Sequence, residues 1–264
     1  MHAFEYVAPS SVADAAAALA KEDAKLLAGG QTLLPTMKQR LAAPTVLVDL
    51  RKIPGVSGIS REGDVLVVGA MTRHADVAAS AVVKDAIKGL ATLAGHIGDP
   101  AVRHRGTIGG SLANNDPAAD YPAAALALGA TIVTNKREIK ADAFFKGLFE
   151  TALADDEIIT AVRFPIPQKS AYMKFPNPAS RYAMVGVFVA KSASGVRVAV
   201  TGAGSNGVFR QSAMEAALSA SFTSQSIAWA KTDASGLLSD LHGDAEYRAH
   251  LVGVMARRAV EAAA

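Results

Sequence analysis

Pro165 and Pro167 stand one residue apart at the end of the apolar run 158–164, and they restrict the fold of this chain more than any other pair of residues. Each lacks an amide hydrogen and fixes φ at about −65°, so neither a helix nor a central strand continues through them. The polar Gln168-Lys169-Ser170 follows at once, which predicts a domain boundary: one domain over residues 1–168 and a second over 169–264. A length of 264 residues fits two domains better than one.

Upstream of the prolines the pattern changes character once. Residues 9–20 read as a helix capped by Ser10 or Ser11, with Asp14 in its first turn. Segments 25–28 and 45–50 read as strands separated by the Gly29-Gly30 turn and a helix from about Pro35, which makes an α/β lobe over about residues 1–55. In a second lobe, 56–168, apolar alternation around Glu62-Gly63-Asp64 predicts an antiparallel hairpin. Residues 75–95 predict one helix with Val77, Val82, Ile87, Leu90 and Leu93 as its buried stripe. The stretch 95–120, rich in glycine and Asp-Pro junctions, predicts a long ordered loop, and such loops usually carry function. A helix at 122–128 and strands at 130–134 and 158–164 complete this domain. Beyond the prolines, strands 184–190 and 196–200 form a hairpin at Ser194-Gly195, with helices at 213–218, 224–231 and 245–260. Trp229 is expected to pack within a helix, and Asp155-Asp156-Glu157 to form a solvated turn.

Two glycine pairs carry the chemical signal. In Ala28-Gly29-Gly30-Gln31-Thr32-Leu33 a strand runs into bare backbone, where amides can approach an anion such as a pyrophosphate. In Thr107-Ile108-Gly109-Gly110-Ser111, hydroxyl groups bracket the glycines, and Asn114, Asp116 and Asp120 follow. Donors for phosphate thus precede carboxylates for a ribose. A loop of either kind alone is more often a plain turn, the two together point better to a ligand, and composition does not name a nucleotide.

Other chemistries find little support. The chain has no cysteine, which removes a disulfide, a thiolate-held iron–sulfur cluster and a cysteine nucleophile of its own. Lys plus Arg 27 against Asp plus Glu 24 leaves a net charge of +3 with no like-charge block to track a nucleic acid. None of the 6 histidines falls in a metal-ligand spacing. Arg103-His104-Arg105 reads equally as a neutraliser of phosphate and as a solvated basic turn. Gly202-Ala203-Gly204-Ser205-Asn206-Gly207 spells a dinucleotide fingerprint, yet the 57 residues after it lack the second strand of a βαβ unit, so a tight turn is expected. The amino terminus, MHAFEYVAPS, is unlike a secretory signal, and no apolar run approaches a membrane span, which together predict a cytoplasmic protein. In the alanine-rich final helix Arg248, Arg257 and Arg258 are not gathered with aromatics, which favours core and interface over a membrane surface.

The runs AGGQTLLPTMKQR (28–40), IGDPAVRHRGTIGGSLANNDPAADYPAA (97–124), KFPNPASRYAMVGV (174–187) and LHGDAEYRAHLVGVMARRAV (241–260) resemble the FAD-binding medium subunit of the molybdenum hydroxylases, the family of bacterial carbon monoxide dehydrogenase and xanthine dehydrogenase. The resemblance spans essentially the whole chain. It implies an α+β fold: a two-lobed FAD-binding domain of the vanillyl-alcohol-oxidase (PCMH) type, then a small α+β carboxy-terminal domain of the carbon monoxide dehydrogenase flavoprotein type with an antiparallel sheet. It places the FAD diphosphate between Ala28, Gly29, Gly30, Gln31, Thr32 and Leu33 on one side and Thr107, Ile108, Gly109, Gly110 and Ser111 on the other, with Asn114, Asp120, Lys174 and Tyr182 as further contacts. Gln31 stands where histidine is common in the family, and His104 where asparagine is common.

The same resemblance implies a division of labour. Hydroxylation belongs to a molybdenum cofactor on a large subunit, and electrons pass through [2Fe–2S] clusters of a small subunit to non-covalent FAD on this chain. From there they reach quinone, NAD or oxygen, and the assembly is a dimer of heterotrimers. No side chain here then serves as a catalytic acid or base, and no metal ligand is expected. The competing expectations are a scaffold subunit of this fold that has lost FAD, and a self-sufficient flavin oxidase.

Overall fold

The computed structural model describes residues 1–263. Its amino-terminal lobe is a small parallel sheet with helices beside it. After β1 (Glu5–Val7), the Ser11 hydroxyl accepts the Asp14 amide at 3.0 Å and starts α1 (Val12–Leu19). β2 (Ala24–Leu27), α2 (Leu33–Lys38) and β3 (Val46–Asp49) follow, and the strands pair in the order β1-β3-β2. Leu47 and Val48 of the central strand are fully buried, as a strand covered on both faces requires.

The second lobe opens with the expected hairpin, β4 (Ile59–Glu62) and β5 (Val65–Gly69), paired antiparallel. Three short helices come next, α3 (His74–Ala79), α4 (Ala81–Ala86) and α5 (Lys88–Gly95), where the periodicity predicts one. The breaks have local causes. Ser80 leaves helical geometry (φ −59°, ψ 123°) and turns its hydroxyl onto the Val83 amide, and Ile87 sits at φ −144°. The apolar stripe therefore does not run straight through, and Val82 is 42% exposed. The stretch 95–120 is also more regular than expected, with α6 (Pro100–Arg103) and α7 (Ile108–Asn114) inside it, capped by Asp99 and Thr107. Then come α8 (Tyr121–Ala127), β6 (Thr131–Thr134), β7 (Glu138–Lys140), α9 (Ala141–Phe144), the small hairpin β8 (Phe145–Gly147) and β9 (Glu150–Thr151), and β10 (Ile159–Pro165). The sheet order is β4-β5-β10-β6-β7. Glu157 is not solvated: its carboxylate accepts from Thr134 Oγ1 at 2.7 Å, Arg137 Nε at 2.9 Å and the Ala154 amide at 3.0 Å. An acidic triplet in the sequence hides which carboxylate turns inward.

The carboxy-terminal sheet has the order β11 (Lys169–Pro176), β12 (Ala183–Ser192), β13 (Gly195–Thr201) and β14 (Phe209–Arg210), all antiparallel. α10 (Ser212–Ala220) and α11 (Ala245–Ala263) cover one face, against Val185, Val187, Val189, Val198 and Val200. The alternate residues Tyr172, Phe188, Ala190 and Ala199 join the large core that also holds Leu66, Leu90, Leu93, Ile108 and Tyr121. β12 is thus buried on both faces, and one face of this sheet is packed onto the preceding lobe. Only a single 3-10 turn, Ser224–Ile227, forms where a helix over 224–231 is expected, and Trp229 is 70% exposed rather than packed. Gly202–Gly207 connects β13 to β14 in an antiparallel sheet and opens onto a strand instead of a helix, so the fingerprint letters have no dinucleotide-binding context.

Candidate functional site

The two glycine loops are in direct contact. A Cβ on Gly29 would stand 2.2 Å from the Arg105 carbonyl oxygen and 2.6 Å from Gly106 Cα, so the absence of a side chain lets the backbones meet. Gly30 takes φ +72°, where L residues are strained. Immediately after β2, the amides of Gly29, Gly30, Gln31, Thr32 and Leu33 find no backbone acceptor among the described residues. An unpaired run of consecutive amides is a cradle for an anion.

The second loop is built differently. Its Ile108 amide donates to Thr72 O at 3.1 Å, Gly109 to Ala70 O at 2.8 Å, Ser111 to Thr107 O at 3.0 Å and Gly110 to the Thr107 hydroxyl at 3.2 Å. A Cβ on Gly109 would meet Ala70 Cβ at 2.6 Å, so Gly109 is a packing glycine, and Ile108 is wholly buried. These two residues support the loop and do not present donors to a ligand. Gly110 faces the first loop, its added Cβ falling 3.6 Å from Ala28 Cβ. Ser111 and Asn114, both partly buried, project from α7.

Beneath the loop lies a histidine that sequence reasoning missed. His74 is 5% exposed, its Nδ1 has no partner, and a Cβ on Gly106 would come within 2.5 Å of its Nε2. Burial, reinforced by the Arg103 charge, pulls its pKa down to about 4, so the ring is neutral at pH 7. Of the basic triplet, Arg103 is held by the carbonyls of Ile97 and Gly98, both at 3.0 Å, and His104 by Pro100 O at 2.7 Å. Arg105 alone is an exposed cation with no ion-pair partner among the described residues.

Asp120 and Lys174, which the resemblance gives as separate flavin contacts, form an ion pair with each other. Lys174 Nζ lies 2.9 Å from Asp120 Oδ1 and 3.0 Å from Oδ2, and the side chains are 3% and 4% exposed. The Tyr172 hydroxyl also donates to Asp120, and Lys174 donates to His96 O at 3.0 Å. Burial pushes the Asp120 carboxyl upward against the pull of Lys174 and Tyr172. The Asp120 oxygens are thus already engaged by side chains more than fifty residues away in sequence, which no local motif reveals. The Asp116 carboxyl, whose pKa is raised by burial, accepts the Ala118 amide at 2.8 Å. Tyr182 is 48% exposed, and its phenol is raised by partial burial and by the charges of Asp116 and Asp120.

The residues present fit a flavin dinucleotide. A side-chain-free turn with unpaired amides suits the diphosphate, and the hydroxyl and carboxamide of Ser111 and Asn114 suit the polar chain attached to it. Among the described residues there is no cluster of His, Asp and Glu that could hold a metal ion. No helix there is long and apolar enough to cross a membrane.

Comparison with known proteins identifies the family. Residues 2–167 match the family described as FAD binding domain in molybdopterin dehydrogenase, and residues 170–263 match the CO dehydrogenase flavoprotein C-terminal domain. The carbon monoxide dehydrogenase medium chain of Hydrogenophaga pseudoflava is 38% identical over 98% of this chain and 96% of its own length. The nicotine 6-hydroxylase medium subunit of Paenarthrobacter nicotinovorans is 39% identical with the same coverage. Among solved structures, a reconstituted CO dehydrogenase chain from Oligotropha carboxidovorans superposes with a TM-score of 0.90 at 35% identity, covering 99% of this chain and 98% of that one. A chain of quinoline 2-oxidoreductase from Pseudomonas putida 86 gives 0.89 at 30% identity, covering 99% and 97%. With both segments matched and relatives aligned end to end, this chain belongs to the family of FAD-binding medium subunits of the molybdenum hydroxylases.

Proposed function

We propose that this chain binds FAD non-covalently between its two glycine loops and serves as the flavin station of a multi-subunit molybdenum hydroxylase. The observation that carries the reading is the run of unpaired amides from Gly29 to Leu33, closed against the Arg105–Gly106 backbone. FAD held there supplies a carrier that exchanges electrons singly with an iron–sulfur cluster and in pairs with an external acceptor. The chain's own work is binding and orientation. Amides of the first loop donate to the diphosphate, Gly29 and Gly30 leave room for it, and Ser111 and Asn114 engage the polar part of the cofactor. Thr107, Gly110 and Ala28 wall the space between the loops, and Arg105 adds positive charge at its rim. Lys174, Asp120 and Tyr182 are the further contacts in this reading.

Donors must come from elsewhere, because a chain without cysteine holds no thiolate-bound cluster. A small [2Fe–2S] subunit and a large subunit with the molybdenum cofactor complete the assembly in this reading, as a dimer of heterotrimers in the cytoplasm. The test is electron relay: the FAD-loaded chain, given an artificial reductant, passes electrons to a dye and oxidises no organic substrate alone. Substrate turnover by this chain, with no molybdenum or iron found by metal analysis, would instead establish a self-sufficient flavin oxidase.

A further inference from the structure

The face of the carboxy-terminal sheet turned toward the preceding lobe carries a column of residues at one register. Lys174 of β11 pairs with Gly186 of β12, which pairs with Thr201 of β13. Gly186 has no side chain for a stated reason: a Cβ there would lie 2.2 Å from the Tyr172 hydroxyl and 2.9 Å from Thr201 Cγ2. The gap it leaves lets the Tyr172 hydroxyl reach Asp120 while Thr201 reaches the turn just before it. Thr201 is fully buried, and its hydroxyl stands 2.6 Å from Ala119 O and 3.1 Å from Pro117 O. The Gly202 amide adds a bond to Pro117 O at 2.8 Å. Gly202 itself takes φ +82°, and a Cβ would meet Ala183 O at 2.3 Å. The turn 116–120 is thus gripped at both carbonyls and at its last side chain by one sheet face.

This turn follows α7 directly, so its position fixes where Asn114, Asp116 and Asp120 stand relative to the glycine loops. We propose that Thr201 and Tyr172 are positioning residues for the flavin. In this assignment the carboxy-terminal domain sets FAD affinity by holding the 116–120 turn, although neither side chain belongs to the glycine-loop cradle. The inference rests on the FAD reading above. A hydroxyl removed from a buried carbonyl leaves an unpaired acceptor, a cost of the size that separates tenfold affinities.

The experiment titrates FAD into the purified full-length apo chain, comparing wild type with Thr201→Val, Thr201→Ser and Tyr172→Phe. Dissociation constants come from flavin fluorescence, and the visible circular dichroism of bound FAD reports its placement. Thr201→Val is expected to weaken FAD binding about tenfold and to alter the flavin dichroism, with Thr201→Ser restoring both. Tyr172→Phe is expected to weaken binding in the same direction, and it decides the matter if Thr201→Val fails to fold. Affinity and dichroism within twofold of wild type in the folded variants, even with a lowered melting temperature, would overturn the positioning role. Failure of the wild-type chain to bind FAD would overturn the FAD reading itself, and this inference with it.

Discussion

Replacing Gly29 by alanine is the sharpest perturbation of the site, because the obstacle is backbone and not a movable side chain. The added Cβ would lie 2.2 Å from Arg105 O, 2.6 Å from Gly106 Cα and 2.8 Å from Arg105 C, whereas ordinary contact begins at 3.4 Å. The two loops must therefore separate by roughly 1 Å, and overpacking of this kind costs about 1–3 kcal/mol of stability. The amides following β2 move with that separation. Misaligned charge-assisted hydrogen bonds to a diphosphate lose about 1.5–3 kcal/mol, or roughly ten- to hundredfold in Kd. Gly30→Ala is the informative partner variant. Its Cβ meets only side chains, Leu34 Cδ1 at 2.9 Å and Leu27 Cδ1 at 3.4 Å, so its cost is the strain of φ +72°, about 1–2 kcal/mol, without driving the loops apart. Urea denaturation of the apo chain and fluorescence titration with FAD measure the two effects separately. FAD affinity for Gly29→Ala within twofold of wild type, with an unchanged urea midpoint, would refute the contact between the loops as the basis of the cradle.

Gly109→Ala is expected to cost about 1–3 kcal/mol in a urea melt through its clash with Ala70, while the folded fraction keeps FAD more tightly than Gly29→Ala does. Asp120→Ala leaves the buried Lys174 ammonium unpaired, so a loss of about 3 kcal/mol in stability should accompany weaker FAD binding, and an unchanged melt would contradict the buried pair. His74 has a folded pKa of about 4 against an ordinary 6.5, so the unfolded state binds the extra proton and stability falls as pH drops from 6.5 toward 4, by up to about 3 kcal/mol. His74→Gln should flatten the urea midpoint across that window. Glu157, held down to about 2 chiefly by Arg137, contributes stability that is complete above 4.5 and is lost as pH falls toward 2, and Glu157→Gln should remove that lower limb.

What the sequence made legible was local. The Ser11 cap, the hairpin at Glu62-Gly63-Asp64, the strand before Gly29 and the hairpin at Gly195 all rest on interactions within a few residues, and each forms where expected. The apolar period predicts one helix over 75–95 because it survives two breaks whose causes, the Ser80 hydroxyl and the extended Ile87, leave hydrophobicity untouched. β11 gives no alternating apolar signal because its inward residues include Lys174 and Tyr172, whose polar ends find their partners, Asp120 and the His96 carbonyl, more than fifty residues upstream. Glycine turns announced both loops, yet nothing local distinguishes Gly29, which seats one backbone on another, from Gly109, which packs on Ala70. Thr201 carried no signal at all, since its partners are main-chain carbonyls of another lobe.

The account stands most directly on one measurement: equilibrium titration of FAD into the full-length apo chain, followed by denaturation of the yellow product. Stoichiometric binding of one FAD per chain is expected, with the flavin released intact into solution on unfolding, as a non-covalent cradle of backbone amides requires. No binding at saturating FAD would contradict the central claim and leave a scaffold subunit that keeps the fold without its cofactor.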